Sequence, residues 1–471
     1  MITNTTTSQI KQPKQPLEKI SQYGDIVAQL DALTPYEYST AAIERLAKLD
    51  RLFDNVSQKM DLVLVGGTNG KSSVLHFTTQ ILKEEGFKVG AAYANHFLAY
   101  NERIVSNFQQ INNKQFADMV AKVLQMAEDE KIHATAFEVL VMSSLLQFAE
   151  DNTDIALIEV GLGGRLDATA ALMPKIAVVT RVTGDHDDIL GSDLDQVARE
   201  MMGIGKKGQW FISAEQSKLR LQKMKEFAEE KEIRWAMPIR KLASLPYIYE
   251  QLYGRTASLS ERIAQIYVED IKGKFSPFLR GNLLATKRGQ RGRPTLEAKR
   301  HAELNPIKTL KGFWAESFNL LRGRFEILDK EKPTVLLDNA RNVDALANLF
   351  LGIRLLCYQR PLRGLALVLG LPKTVPALET LKLIRYLVKK VSGQIFFVPA
   401  PDDAREEYHS PQELTAMASE LNLKAKPCLN LAKAFEIAKK TVDERYGLVC
   451  VSGSQEMVTS YWKTVRELKK F

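Results

Sequence analysis

The stretch Asp61-Leu-Val-Leu-Val-Gly-Gly-Thr-Asn-Gly-Lys-Ser-Ser-Val-Leu-His76 decides the fold. Leu62 to Val65 is a short apolar, β-branched run that reads as a buried parallel strand. Gly66, Gly67 and Gly70 let the backbone turn where a Cβ would clash, so that N–H groups can point inward around an anion. Lys71 follows as a point charge for phosphate oxygens. Ser72 and Ser73 offer hydroxyls to a cation and open a helix whose positive end faces the phosphates. Leu75, Phe77, Ile81 and Leu82 give that helix one apolar face, and it is expected to stop near Gly86. The usual phosphate loop has a glycine, four intervening residues and then Gly-Lys-Ser/Thr. Val65 stands there and Gly66 comes one place late, so the loop is one residue short. A plain glycine-rich turn is the alternative. The preceding strand and the Lys-Ser-Ser ending favour a nucleoside triphosphate site.

Outward from this stretch the pattern alternates. Leu17 to Leu52 has helical periodicity, Val89 to Tyr93 reads as a strand, and Asn101-Glu102-Arg103-Ile104 as a loop. Phe116 to Leu124 and Ala136 to Phe148 read as helices. Ile155 to Val160 and Ile176 to Thr180 read as buried strands, each followed by a polar cluster: Gly161 to Asp167, and Gly184-Asp185-His186-Asp187. Strand–helix alternation implies an α/β fold with a doubly wound parallel sheet, whose ligands sit beyond the C-terminal strand ends. A second α/β pattern begins near Arg322, with strands at Val335–Leu337, Ala366–Leu369, Ile395–Val398 and Val449–Val451. The expected organisation is a flexible tail over 1–16, an ATP-binding phosphate-loop domain over 17–321, and a smaller C-terminal Rossmann-like domain over 322–471.

The 471 residues carry 65 basic and 56 acidic side chains, a net charge of +9 that suits anionic substrates without demanding nucleic acid. Residues 280–301 are rich in Gly and Arg. A nucleic-acid tail, a solvated loop and an arginine clamp on ATP are the candidate readings, and the lack of interleaved aromatics disfavours the first. Cys357, Cys428 and Cys450 lie far apart and read as reduced core residues. No run approaches the ~18 apolar residues of a membrane helix, and the first 16 residues lack the apolar core of a signal peptide. A cytoplasmic protein with no membrane partner is expected, and a monomer.

Two strings carry a family resemblance. Gly67-Thr68-Asn69-Gly70-Lys71-Ser72-Ser73 is similar to the phosphate loop of the Mur ligase superfamily. Glu159-Val-Gly-Leu-Gly-Gly-Arg165-Leu-Asp167-Ala-Thr169 resembles the signature of its folylpolyglutamate synthase and dihydrofolate synthase branch. Asn101–Ile104, Asp185-His186, Gly323-Arg324-Phe325-Glu326 and Ser452-Gly453-Ser454 follow in the family's order. The resemblance implies an ATP-dependent ligase that phosphorylates a folate or dihydropteroate carboxylate and joins glutamate to it. It places Lys71 and the Gly67–Gly70 backbone on the ATP phosphates, with Ser72 or Ser73 beside them, and Arg324, Asp338 and Arg341 on the nucleotide. Ser73, Glu159 and His186 would hold Mg²⁺, although a histidine is an unusual ligand for so hard a cation. Arg165 and Asp167 would face the acceptor substrate. Taken singly, Glu159 also reads as a buried carboxylate paired with a base, His186 as a hydrogen-bonded loop histidine, and Asp167 as the N-cap of a helix over Ala168 to Ala171. The Asp-Ala-Thr ending points to addition of the first glutamate, often together with later ones.

The chain also departs from the family. Ala94-Asn95-His96 replaces Ser-Pro-His, which removes a metal-binding hydroxyl. Met201 stands where the family has a carbamylated lysine for the second Mg²⁺. Arg341 replaces a histidine. The Gly-x-His-Gln helix between the domains is not recognisable, and residues 280–301 are expected in its place. Two readings follow: a divergent but active ligase, or an impaired ATP-binding homologue with a binding or regulatory role.

Overall fold

A computed structural model describes residues 23–240, 243, 245, 247–276, 278, 279, 310–319 and 321–465, apart from 403 and 405. The expected tail over 1–16 and the basic 280–301 segment lie outside the described residues.

Strand β1 (Asp61–Gly66) is the centre of the first sheet. Around it lie β2 (Val89–Ala92), β3 (Ile104–Ser106), β4 (Gln109–Gln110), β5 (Ile155–Glu159), β6 (Ile176–Val179), β7 (Trp210–Ser213) and β8 (Arg234–Ala236). Their spatial order is β4-β3-β2-β5-β1-β6-β7-β8, with β3 and β4 antiparallel to their neighbours and the rest parallel. Leu62 to Val65 are fully enclosed, as an apolar run with helices on both sheet faces requires. The register pairs Val65 with Glu159 and Gly66 with Val179. The segments after β1, β5 and β6 therefore leave the sheet side by side.

Helices fill the crossovers. Lys71–Glu84 ends just before Gly86, whose φ is +81°, where the sequence places its stop. Asn113–Asp129 and Ala136–Glu150 each begin with a capping box, Asn112 with Gln115 and Thr135 with Glu138. Residues 101–104 are not an open loop: Tyr100–Arg103 forms a 3₁₀ turn that leads into β3. Helix Tyr247–Gln265 packs along Lys71–Glu84 and is the larger departure from expectation, because the sequence seeks a connecting helix further downstream. Phe77 is fully buried at this seam, with edge-on contacts to Tyr253, Trp314 and Phe318 at centroid separations of 5.9, 5.4 and 5.3 Å.

The second sheet contains β9 (Glu326–Leu328), β10 (Thr334–Leu337), β11 (Leu365–Leu369), β12 (Gly393–Phe397), β13 (Ala425–Pro427) and β14 (Leu448–Ser452). Their order is β13-β12-β11-β14-β10-β9, parallel except for β9. The expected α/β class with two sheets is thus observed. Cys357, Cys428 and Cys450 are free thiols. Among the described residues no helix is long and apolar enough to cross a membrane.

Phe77→Ala is expected to cost about 3–5 kcal/mol of stability, since it empties a ring-sized space shared by three aromatic neighbours. Urea unfolding checks this, and a loss below about 1 kcal/mol would mean that the seam repacks.

Candidate active site

A cleft of ≈ 490 Å³ opens where the strand ends of the two sheets face each other. That is an ordinary volume for a small-molecule site. The phosphate loop, Glu159 and Asp185 line it from the first sheet. Arg324, Asp338, Arg341 and Asp344 line it from the second, and Tyr253 and Thr256 of the long helix close one side.

Gly67 and Gly70 hold φ of +119° and +91°, which favours glycine. A Cβ on Gly67 would also lie 2.8 Å from the Thr180 backbone nitrogen. Loop and β6 segment are tied together: Thr68 N–H donates to the Arg181 carbonyl at 2.8 Å, and Thr180 Oγ1 to the Asn69 carbonyl at 2.7 Å. Lys71 Nζ donates to the Gly67 carbonyl at 2.9 Å, curled back over the loop. Burial pushes the pKa of this ammonium down, and Glu159 pulls it partly back.

Glu159 is 3% exposed. Ser72 Oγ lies 3.0 and 3.1 Å from its two carboxylate oxygens, and Ala94 N–H donates to it at 3.3 Å. Position 94 therefore contributes a backbone donor where its missing hydroxyl was noted. Arg324 Nη2 donates to Ser72 Oγ at 2.7 Å, which brings the second domain onto the phosphate loop. Ser73 is buried and also lines the cleft. Glu159, Ser72 and Ser73 thus offer oxygen donors to the cleft beside the loop, a donor type that fits a hard divalent cation.

Further contacts join the domains. Asn69 Nδ2 donates to Asn342 Oδ1 at 3.1 Å and to Asp344 Oδ2 at 2.9 Å, and Asn342 Nδ2 donates to Asp185 Oδ2 at 3.1 Å. Arg181 pairs with Asp344 at 2.8 Å. Asn342 also caps helix Val343–Gln359. Asp338 accepts N–H bonds from Phe325 at 2.7 Å and Ala340 at 2.9 Å. Burial nevertheless raises its pKa to about 6. His186 adopts the left-handed region at φ +55°, and its Nε2 accepts from Arg341 Nη2 at 2.6 Å. Burial lowers the imidazole pKa, which suits this acceptor role. Among the described residues no three His, Cys, Asp or Glu side chains form a group placed to hold a metal.

Arg165 and Asp167 do not line the cleft. Arg165 points outward and pairs with Glu200 at 2.8 Å. Asp167 is fully buried and caps the 3₁₀ turn Ala168–Ala171, accepting from Thr169 N–H at 2.9 Å, Leu162 N–H at 3.0 Å and Tyr36 O–H at 2.7 Å. The helix-cap alternative for Asp167 is the one the geometry meets. Glu200 also accepts from Tyr38 O–H at 2.8 Å, and the neighbouring Met201 is buried at 2% exposure. Tyr253, Thr256 and Arg181 are cleft residues that motif reasoning passes over. The helical spacing of Tyr253, Ala257, Ser260 and Ala264 is the signal that would find the first two.

Residues 65–237 match the Mur ligase middle domain. The resemblance in the phosphate loop is thus borne out. A dihydrofolate synthase/folylpolyglutamate synthase of Bacillus subtilis is 28% identical over 315 residues, 65% of this chain and 70% of that protein. One of Buchnera aphidicola subsp. Baizongia pistaciae is 29% identical over 214 residues, 45% of this chain, so the match spans about half, 48%, of that relative's length. The structure of Escherichia coli FolC in complex with DHPP and ADP superposes with a TM-score of 0.70 at 22% identity, covering 95% of this chain and 98% of that one. The superposition shows the shared two-sheet fold.

Because Asp338 holds its proton more tightly when folded, stability between pH about 4 and about 6 is expected to fall as pH rises. Asp338→Asn should flatten that slope in pH-dependent thermal melts; an unchanged slope would place the titration elsewhere. Lys71→Ala is expected to abolish ATP binding by calorimetry, and an unchanged affinity would displace the phosphates from this loop.

Proposed function

We propose that the protein is an ATP-dependent carboxylate–amine ligase that adds glutamate to a folate or pteroate acceptor through an acyl phosphate. The observation that carries this is the cleft itself. Phosphate-loop amides, Lys71 and the Glu159–Ser72 pair lie on one wall, and Arg324 and Arg341 from the second domain on the other. Such a site suits a polyphosphate held between the two sheets' strand ends. The similarity to dihydrofolate/folylpolyglutamate synthases, and the ADP and DHPP of the E. coli structure, support the choice of nucleotide and acceptor class.

The acceptor carboxylate oxygen attacks the terminal phosphorus of ATP and ADP leaves. The amine of glutamate then attacks the acyl carbon and displaces inorganic phosphate as the amide forms. This protein's part is positioning and charge neutralisation. The loop amides and Lys71 hold the phosphates, and Arg324 draws the second domain against Ser72. A divalent cation at Glu159, Ser72 and Ser73, Mg²⁺ in the cell, would neutralise phosphate charge. On the side of the cleft near Tyr253, Leu252, Leu259 and Leu349 offer an apolar bed and Asn348 and Gln251 offer amide groups, a lining suited to the adenine base.

A specific observation favours the second reading, an impaired ATP-binding homologue. Glu200 is engaged by Arg165 and Tyr38, and Met201 is buried and does not line the cleft. Neither is free to help hold a second cation.

Purified protein is expected to release phosphate from ATP only when glutamate and either dihydropteroate or tetrahydrofolate are present, with a one-glutamate mass gain in the product. Glu159→Gln should lower turnover at least about 100-fold, removing a charged ligand rather than a group behind one. ATP binding without substrate-dependent turnover would overturn the ligase in favour of the second reading.

A further inference from the structure

Two places beside the cleft offer metal-ligating donors, and each already meets an arginine: Arg324 Nη2 donates to Ser72 Oγ at 2.7 Å at the first, and Arg341 reaches His186 at the second. At the first, Glu159 and the two serine hydroxyls present oxygens beside the phosphate loop. At the second, on the lip formed by the segment after β6, the one available lone pair of the His186 imidazole, which does not itself line the cleft, accepts from Arg341 at 2.6 Å. Asp185, beside it, accepts from Asn342 at 3.1 Å and lies 4.0 Å from the same guanidinium. Glu406 of the second domain stands 3.6 Å from the other guanidinium nitrogen. A divalent ion on His186 would have to displace this hydrogen bond and lie against a permanent like charge. The imidazole has its one lone pair spent and does not fit a metal, whereas the two Glu159 oxygens have lone pairs beyond the bonds they accept from Ser72 and Ala94.

We propose that Arg341 takes the place of a cation on this lip of the cleft. Its guanidinium, aimed by His186, Asp185 and Glu406, supplies a permanent positive charge to the phosphoryl oxygens, and the nucleotide complex carries one divalent ion rather than two. His186 is then a positioning residue for Arg341. The planar guanidinium fork suits phosphate oxygens, and an arginine stabilises the charge that builds up in phosphoryl transfer. Because Arg341 precedes Asn342, which bonds Asn69 and Asp185, the charge arrives together with the contacts that join the domains. This rests on the ligase function proposed above.

The test uses the full chain, Mn²⁺ and a non-hydrolysable ATP analogue. Electron paramagnetic resonance counts bound Mn²⁺ per bound nucleotide, and spin-echo modulation detects any imidazole nitrogen on the ion. One ion without nitrogen coupling is expected. His186→Ala should leave that count at one while weakening nucleotide binding several-fold, and His186→Gln, which keeps an acceptor for the guanidinium, should restore it. Arg341→Ala should weaken binding about tenfold. Two ions per nucleotide, or nitrogen coupling in the unaltered protein, would overturn the proposal whether or not the variants fold. No nucleotide binding by the unaltered protein would instead overturn the ligase function, and the role of Arg341 with it.

Discussion

The pairing of β1 between β5 and β6 is the constraint on which the rest depends. In a parallel sheet each strand's exit is fixed by its neighbours' register, and here Val65 lies beside Glu159 and Gly66 beside Val179. The phosphate loop, the Glu159 carboxylate that meets it through Ser72, and the Thr180–His186 segment therefore emerge side by side. A slip of β5 by one residue would turn Glu159 to the other face of the sheet and leave Ser72 without its acceptor. The chemistry of the cleft is in this sense a consequence of strand register, set by the enclosed apolar runs Leu62–Val65 and Ile155–Ile158.

That half-site is incomplete alone. Helix Tyr247–Gln265 carries the structure from the first sheet to the second: Tyr253 packs on Phe77 of the phosphate-loop helix and donates its hydroxyl to the Arg324 carbonyl at 2.9 Å. One aromatic side chain thus joins the core behind the phosphate loop to the turn that presents Arg324. On the other side, Asn69, Asn342 and Asp185 form a chain of amide and carboxylate contacts across the cleft. Such contacts are directional but individually modest. The aromatic seam sets where the second domain sits, and the polar chain sets how its arginines face the loop.

The fold was legible wherever a segment had one dominant period. The runs forming β1, β5, β6, β10, β11, β12 and β14 are continuous and apolar because both sheet faces are covered, and the sequence shows them plainly. Strands at or next to the sheet edges, such as β3, β4 and β13, are two or three residues long, too short to carry a period. The helix Tyr247–Gln265 mixes Ser258, Ser260, Glu261 and Gln265 into its buried face, where Glu261 is paired with Arg240 at 3.0 Å, so its periodicity is masked by polar groups whose partners only the fold brings together. The site was legible through Gly67, Lys71 and Glu159, whose chemistry follows from local spacing. The partners of His186 and Ser72 were not, because Arg341 lies 155 residues and Arg324 252 residues away along the chain.

The signature string after β5 is also a packing device. Its residues suggest substrate contacts, yet much of its composition is explained by packing. A Cβ on Gly161 would come within 2.7 Å of the Tyr36 ring, and one on Gly164 within 2.6 Å of the Met201 carbonyl. The glycines are what let the 36–38 segment and the end of helix Leu194–Met202 close onto the loop. Once they do, Tyr36 and Tyr38 take up Asp167 and Glu200, and burial drives both phenol pKa values upward so that the hydroxyls remain donors. A carboxyl group buried as deeply as Asp167 must have its hydrogen bonds satisfied or it destabilises the fold. The loop that follows Glu159 is therefore rigid because its polar groups are spent on the protein's own chain, and that rigidity keeps the Glu159 carboxylate aimed at the phosphate loop.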